Sequence, residues 1–497
     1  MRTGIRGGWV VGYDESTGGH VLFEDGVVVI DGSQIVHVGH DFEAPVDREI
    51  DARGKLVSPG FVNTHVHAGV EGMTGVQDLA HPDGTAWIGA SCDFVGGPMP
   101  NYLTDEQIRT HMRFGIVHLL KSGCTTIVDV IGSSSPWWIG NTPEDVEAFA
   151  DEAGEIGARV YSTPGYRSLH SCVRPDGTRD YVSMEENGFR NLQRAIEFIE
   201  RRHGSHDGRV MGMLYPHAVD NVAPDLLRAT REAADQHGVG IQIHAAQNRN
   251  EVAVTLGRYG RTPIELLADT GVLGPDTILG HCIFVNTHST INRPGDDLGL
   301  IADSGTSIAH SPIKFVYTGA VIESFQSYLD RGINMTIGTD IFPSDVGLEM
   351  RAASLAGKLI ERDGAKVRTA DLYNASTLGG AKALGRNDIG RLAPGAKADM
   401  IIVDLTNVDV GPVHDPILAL VHYTTARDIE TVIVDGQVLI DQHQAVNVDE
   451  ERLMAEAWPI YELLRTKMAE VNWNQPSVNE MFPPSFPVLR ANSVSAG

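Results

Sequence analysis

The chain has 497 residues, 42% of them hydrophobic and 21% charged, enough apolar material for a large core and more than one domain. Asp and Glu outnumber Lys and Arg by 65 to 39, a formal net charge of -26; with no basic stripe, this composition excludes nucleic acid and anionic membrane surfaces as partners, since both reward clustered cations. No apolar run of about 18 residues occurs and no apolar targeting segment opens the chain, so a protein of the cytoplasm is expected. Cys92, Cys124, Cys172 and Cys282 are scattered without a CxxC, so neither a disulfide framework nor a thiolate metal site is expected and a reducing compartment fits.

Taken in chain order, residues 20–56 read as short strands joined by tight turns. Val27-Val28-Val29-Ile30 meets Asp31-Gly32 before Ile35-Val36-His37-Val38, a hairpin signature. The same pattern returns at Thr431-Val432-Ile433-Val434, Asp435-Gly436 and Val438-Leu439-Ile440, preceded by a strand at Ala398–Val403. Two all-β pieces bracketing the middle predict one small β-domain, a β-sandwich built from residues 1–56 and 387–447.

Between them strands and helices alternate. Strands are predicted at 57–64, 125–131, 158–164, 209–216, 239–245, 277–283, 306–310 and 334–339, with helices over 104–122 and 223–237 among those separating them. Eight such units over residues 57–386 predict an α/β fold of the (β/α)8 TIM-barrel type, in which polar residues at strand C-termini carry the chemistry. From 448 a helix (450–471) leads into a Pro-rich end around Phe482-Pro483-Pro484, an arm expected to pack on the barrel or on a second subunit, which makes a homo-oligomer the expected assembly.

The first of those strands ends Pro59-Gly60-Phe61-Val62-Asn63-Thr64-His65-Val66-His67. Residues two apart on a strand share a face, so His65 and His67 project side by side, a geometry for gripping one metal ion. Later strands end at His244-Ala245-Ala246-Gln247, at His281-Cys282 and at Thr339-Asp340. Three or four imidazoles with one carboxylate at a barrel mouth is a catalytic metal donor set: the metal lowers the pKa of bound water, and an adjacent carboxylate accepts the proton. Asp340 suits that base role.

With Gly390-Arg391-Leu392-Ala393-Pro394-Gly395-Ala396-Lys397-Ala398-Asp399, these motifs resemble the amidohydrolase superfamily from about residue 20 to 440, and within it the aminohydrolase and chlorohydrolase branch, which holds nucleobase and adenosine-type deaminases and triazine hydrolases. The resemblance implies a metal held by His65, His67, His244 and Asp340, with His281 contacting water or substrate. Dinuclear members carry a carboxylated lysine after the fourth strand; Met211–His217 contains none, which implies one divalent metal per chain, zinc first and iron second. The implied function is hydrolytic deamination of a small, planar nitrogen heterocycle.

One departure qualifies this. Deaminases of the branch place a glutamate three residues after the fifth-strand histidine, where it shuttles a proton; here Gln247 stands there, and an amide cannot exchange a proton near neutrality. Either His281 or another acid such as Asp345 takes that role, or the reaction displaces a non-amine group such as halide, or cleaves an exocyclic amide. A non-catalytic scaffold barrel is the reading from another class, disfavoured because the ligand set is intact. His310 and Ser311 after the seventh strand, His217, and Trp137 and Trp138 in the second-strand loop are candidate substrate contacts, with Tyr215 and Phe342 as further positions; the long loop from Ala68 to Pro100 is a candidate pocket wall.

Overall fold

The terminal segments of the chain fold onto each other. The structure, a computed structural model, describes residues 1–69, 89–95, 102–130, 143–162 and 164–488. Strands β1 (Arg2–Asp14), β2 (Gly19–Asp31), β3 (Gln34–Gly39), β4 (Arg48–Asp51) and β5 (Lys55–Pro59) come from the N-terminal part. The first parallel strands of the middle region are β6 (Phe61–Val66), β7 (Cys124–Asp129) and β8 (Arg159–Ser162), followed by a hairpin of β9 (Leu169–Val173) and β10 (Arg179–Ser183). Then come β11 (Val210–Gly212), β12 (Ile241–Ala245), β13 (Thr277–His281), β14 (Ser307–His310) and β15 (Asn334–Ile337), and finally β16 (Met400–Asp404), β17 (Ile429–Val434), β18 (Gln437–Asp441) and β19 (Gln444–Ala445).

One nine-stranded sheet runs β19-β18-β17-β16-β5-β1-β2-β3, with β4 against β1. Its seam is the antiparallel pairing of β5 with β16, Met400 opposite Pro59 through Asp404 opposite Lys55. Both expected hairpins occur, β2–β3 and β17–β18. The strand expected over 57–64 is divided. Val57 to Pro59 belong to the terminal sheet, and only from Phe61 onward does the chain enter the catalytic core. Gly60 permits the crossing, because a Cβ there would lie 2.1 Å from the Thr125 side chain.

The catalytic core consists of two four-stranded parallel sheets, β11-β8-β7-β6 and β12-β13-β14-β15. Pairing of Leu214 with Ile241 joins one pair of edges, and pairing of Val66 with Asp340 joins the other. At that second seam the His67 N–H donates to the Asp340 carbonyl at 2.7 Å, and the Thr339 and Asp340 N–H groups donate to the His65 carbonyl at 2.9 Å. Gly338 makes the seam possible, since a Cβ there would meet the His65 Cβ at 2.7 Å. The apolar side chains of β6, β7, β8, β12, β13 and β14 and of the outer helices form the main core, as a parallel sheet covered by helices requires.

Two further features depart from expectation. The β9–β10 hairpin inserts after β8 where no strands were predicted. Cys92 and Cys172, 80 residues apart, form a disulfide, which corrects the expectation that none exists; a pair so far apart in sequence is made by tertiary proximity, which spacing does not encode. The C-terminal helix Glu450–Val471 buries Leu453, Ala457, Ile460 and Leu464, and Lys121 of helix Asp105–Lys121 pairs with Glu450. The helix of the arm therefore packs on helix Asp105–Lys121 of its own chain. Among the described residues no helix is long and apolar enough to cross a membrane.

Candidate metal centre and active site

The strand ends bring His65, His67, His244, His281 and Asp340 together, all of them buried. One ligand atom each from His65, His67 and His244 lie within 4.8 Å of one another, as do those of His65, His281 and Asp340. His65 thus belongs to both groups. Asp340 Oδ1 is 3.7 Å from His67 Nε2, and Oδ2 is 3.2 Å from His281 Nε2. His244 donates Nδ1–H to the His217 carbonyl at 2.7 Å, leaving Nε2 for a ligand.

Burial is the main cause of every histidine shift here. It holds the His65 imidazole at about 3 and those of His67 and His281 well below 6.5, and it lowers His244. Charging an imidazole away from water costs free energy, so these side chains are neutral at physiological pH, the form that ligates metal. Asp340 runs the other way. Burial pushes its carboxyl up, but the Lys314 ammonium, then His65, His67 and His244, outweigh that and keep it ionised. Both ring nitrogens of His65, wholly buried, have no hydrogen-bond partner among the described residues. A buried polar atom without a partner is costly, and a neutral-imidazole and carboxylate set of this shape is satisfied by a divalent metal. The residues fit the ion.

Three non-glycine residues at these strand ends adopt the left-handed region: Ala246 at φ 50°, Cys282 at 54° and Asp340 at 59°. Such conformations cost of order 1 kcal/mol each and persist where surrounding structure enforces them. At β12 the enforcement is visible, because the fully buried Glu251 carboxyl accepts from the Ala246 N–H at 2.7 Å and the Gln247 N–H at 2.8 Å. This anchors Gln247 at the mouth with its side chain half-buried.

The other candidates divide. His217 accepts from the Asn221 amide on Nδ1 at 2.8 Å, which places its proton on Nε2, and its ring centroid is 5.3 Å from that of His244. The Tyr215 hydroxyl is 3.3 Å from His244 Nδ1. His310 and Ser311 are buried at the end of β14, where His310 Nδ1 and Ser311 Oγ have no hydrogen-bond partner among the described residues. Phe342 instead stacks on His118 at 4.7 Å, and Asp345 caps helix Val346–Glu361, accepting from the Leu348 N–H at 3.1 Å. Trp137, Trp138 and most of the 68–100 loop lie outside the described residues.

Sequence patterns missed three residues. Lys314 places its ammonium 3.3 Å from Asp340 Oδ1. The wholly buried Glu349 accepts from the Ile313 N–H at 2.9 Å. Asp129, ending β7, accepts from the Ala68 N–H at 2.9 Å and so holds the chain just beyond His67. Only Asp129 carried a usable signal, its place at a strand C-terminus.

Parallel strands whose C-terminal ends converge on neutral imidazoles and one ionised carboxylate define a hydrolase that uses a divalent metal. The chain belongs to the amidohydrolase family, which matches residues 56–439, and it acts on non-peptide carbon–nitrogen bonds as a deaminase. Similar curated proteins include the 5-methylthioadenosine/S-adenosylhomocysteine deaminase of Natronomonas pharaonis, 32% identical over 416 residues, covering 83% of this chain and 87% of that one. The 5'-deoxyadenosine deaminase of Methanosarcina mazei is 29% identical over 460 residues, covering 91% and 96%. Among solved structures, a variant of atrazine chlorohydrolase from Arthrobacter aurescens, complexed with zinc and atraton, superposes with a TM-score of 0.76 at 25% identity, covering 92% of this chain and all of that one. A zinc-bound adenosine deaminase from Xanthomonas campestris shares the fold, with a TM-score of 0.73 at 22% identity over 93% of this chain and 98% of that one.

Proposed function

We propose that the protein is a mononuclear zinc aminohydrolase that removes the exocyclic amino group of an adenine nucleoside altered at its 5' position. The observation that carries this reading is the sharing of His65 between the His67–His244 group and the His281–Asp340 group, which gathers four imidazoles and an ionised carboxylate about one buried side chain. The 5'-substituted nucleosides named for the relatives supply the substrate class. His65, His67, His244 and Asp340 would hold the zinc, which when bound supplies Lewis acidity to activate water. Asp340 accepts the proton of the attacking water and returns it to the departing nitrogen. His281, 3.2 Å from Asp340, orients that water. Gln247, His217, His310 and Ser311 line the substrate side, with Trp137 and Trp138 as outer contacts.

The scaffold proposed for this site is a closed (β/α)8 barrel over 57–386, with a β-sandwich from 1–56 and 387–447 and the 448–497 arm. A dimeric or larger cytoplasmic enzyme is the proposed assembly. The test is ammonia release from 5'-deoxyadenosine and 5'-methylthioadenosine by the zinc-loaded chain. Asp340→Asn is expected to lower the rate by about a thousandfold; release that survives in this variant rejects the role given to Asp340. A second reading, displacement of chloride or an alkoxy group, draws on Gln247 and on the likeness to atrazine chlorohydrolase. Chloride or methanol release from substituted triazines, without ammonia from any nucleoside, would favour it.

A further inference from the structure

Among the described residues, Lys314 places a cation against the base Asp340, and the reaction outlined above leaves it without a task. It stands on the short helix Pro312–Val316 after β14, which Glu349 ties to helix Val346–Glu361 through the Ile313 N–H. The ammonium lies 3.3 Å from Asp340 Oδ1, while the side chain keeps 31% of its surface exposed against 2% for Asp340. The ammonium therefore meets the base while part of the Lys314 side chain stays open to solvent. Strands β12 and β14 flank β13, so Gln247 and Lys314 stand beyond the ends of the two strands that border the one carrying His281.

Addition of water to an electron-poor ring carbon forms a C–O bond, hands one water proton to Asp340 and moves the C=N π pair onto the ring nitrogen. That nitrogen must be protonated or meet a positive charge. Gln247 donates an amide hydrogen bond but has no proton to give. We propose that Lys314 is a catalytic residue whose ammonium contacts the heterocycle and holds this negative charge. It replaces a transferred proton with a fixed cation, the kind of preorganised electrostatics that stabilises charge developing in a transition state. On collapse the pair re-forms the C=N bond, the bond to the amino nitrogen breaks, and that nitrogen takes the proton from Asp340 and leaves as ammonia. Lys314 keeps its protons throughout. The substrate class is an aromatic nitrogen heterocycle with an unprotonated ring nitrogen beside the reacting carbon.

This deepens the aminohydrolase reading and rests on it for the substrate, and its test has one arm that needs no substrate. Wild type, Lys314→Met and Lys314→Arg are compared as full-length chains. In the first arm zinc affinity is read by competition with a chromophoric chelator: loss of a cation beside Asp340 is expected to tighten zinc binding about tenfold in Lys314→Met and to leave Lys314→Arg near wild type. In the second, kcat on 5'-deoxyadenosine is expected to fall by a factor of about a hundred or more in Lys314→Met with KM changed less than about threefold, and Lys314→Arg recovers at least about tenfold of the loss. Unchanged zinc affinity overturns the proposal, as does a Lys314→Met kcat within about threefold of wild type. A wild-type chain that binds zinc and displaces chloride from a chlorotriazine but releases no ammonia overturns the deaminase reading instead, and the same kcat comparison on that triazine then decides the role of Lys314.

Discussion

His244 donates its Nδ1–H to the backbone carbonyl of His217 at 2.7 Å, and this single bond decides which nitrogen of the imidazole is left to ligate. The carbonyl belongs to the segment that follows β11, while His244 is the next-to-last residue of β12. The metal-facing tautomer is thus set by the joint between the two parallel sheets, where Ala218 also pairs with His244.

From that geometry, His244→Gln is expected to weaken zinc binding by about a hundredfold or more, because the amide replaces a neutral imidazole donor. Tyr215→Phe is expected to change it less than about threefold, since the hydroxyl at 3.3 Å is secondary to the carbonyl. Chelator competition on the purified variants checks both. Equal losses would mean that the hydroxyl, and not the carbonyl, orients the ring.

A buried ionic network joins the catalytic core to the terminal sheet. Arg159, at the start of β8, places Nε 2.8 Å and Nη2 3.1 Å from the two Asp399 oxygens, and Nη2 3.5 Å from Asp435. Lys397 reaches Asp435 at 2.9 Å. Arg159→Met strands a buried carboxylate and is expected to cost about 3–5 kcal/mol in urea unfolding. The double variant Arg159→Met/Asp399→Asn is expected to lose less than the single one, because the uncompensated charge is gone. A double variant no better than the single one would show that packing rather than charge sets the cost.

The metal-free protein is expected to lose stability below about pH 6.5. Burial holds the His310 imidazole at about 4, and burial followed by Arg167 holds His170 at about 3. In the unfolded chain both titrate near 6.5, so as pH falls the unfolded state takes up protons first and the native state is penalised. The stability is therefore complete above 6.5 and is lost as pH falls towards those folded values, by about 1.4 kcal/mol per pH unit for each group. Urea midpoints at pH 7 and pH 5 measure it, and His310→Gln is expected to flatten the slope. An unchanged slope would mean that His310 is charged in the fold.

The Cys92–Cys172 disulfide closes a loop spanning 80 residues. It pins the segment at Ala90 and Ser91, which pairs with both Val173 and Asn472, against the β9–β10 hairpin and the end of the C-terminal helix. Loop-closure entropy for that length gives a stabilisation of about 4.5 kcal/mol, so treatment with a dithiol, or Cys92→Ser, is expected to lower Tm by several degrees, about 1 °C per kcal/mol at this chain length. A melting curve indifferent to dithiol would show that the pair contributes nothing to the stability of the folded chain.

What the sequence determined by itself was the local part of the site. His65 and His67 share a face because strand side chains alternate, and His244, His281 and Asp340 could be placed beside them because each ends a β-branched run and parallel strands of a barrel present their C-terminal ends together. Those inferences need only a period of two and a topological rule. The tertiary structure decided everything that depends on residues distant along the chain. Lys314 meets Asp340 only because the helix after β14 is tied down by Glu349, 36 residues on. Cys92 finds Cys172 across 80 residues, and Gly60 divides what reads as one strand because Thr125 presses against it. None of these has a local period or a characteristic spacing. Each is a contact whose partner is chosen by packing, and packing is a property of the assembled core.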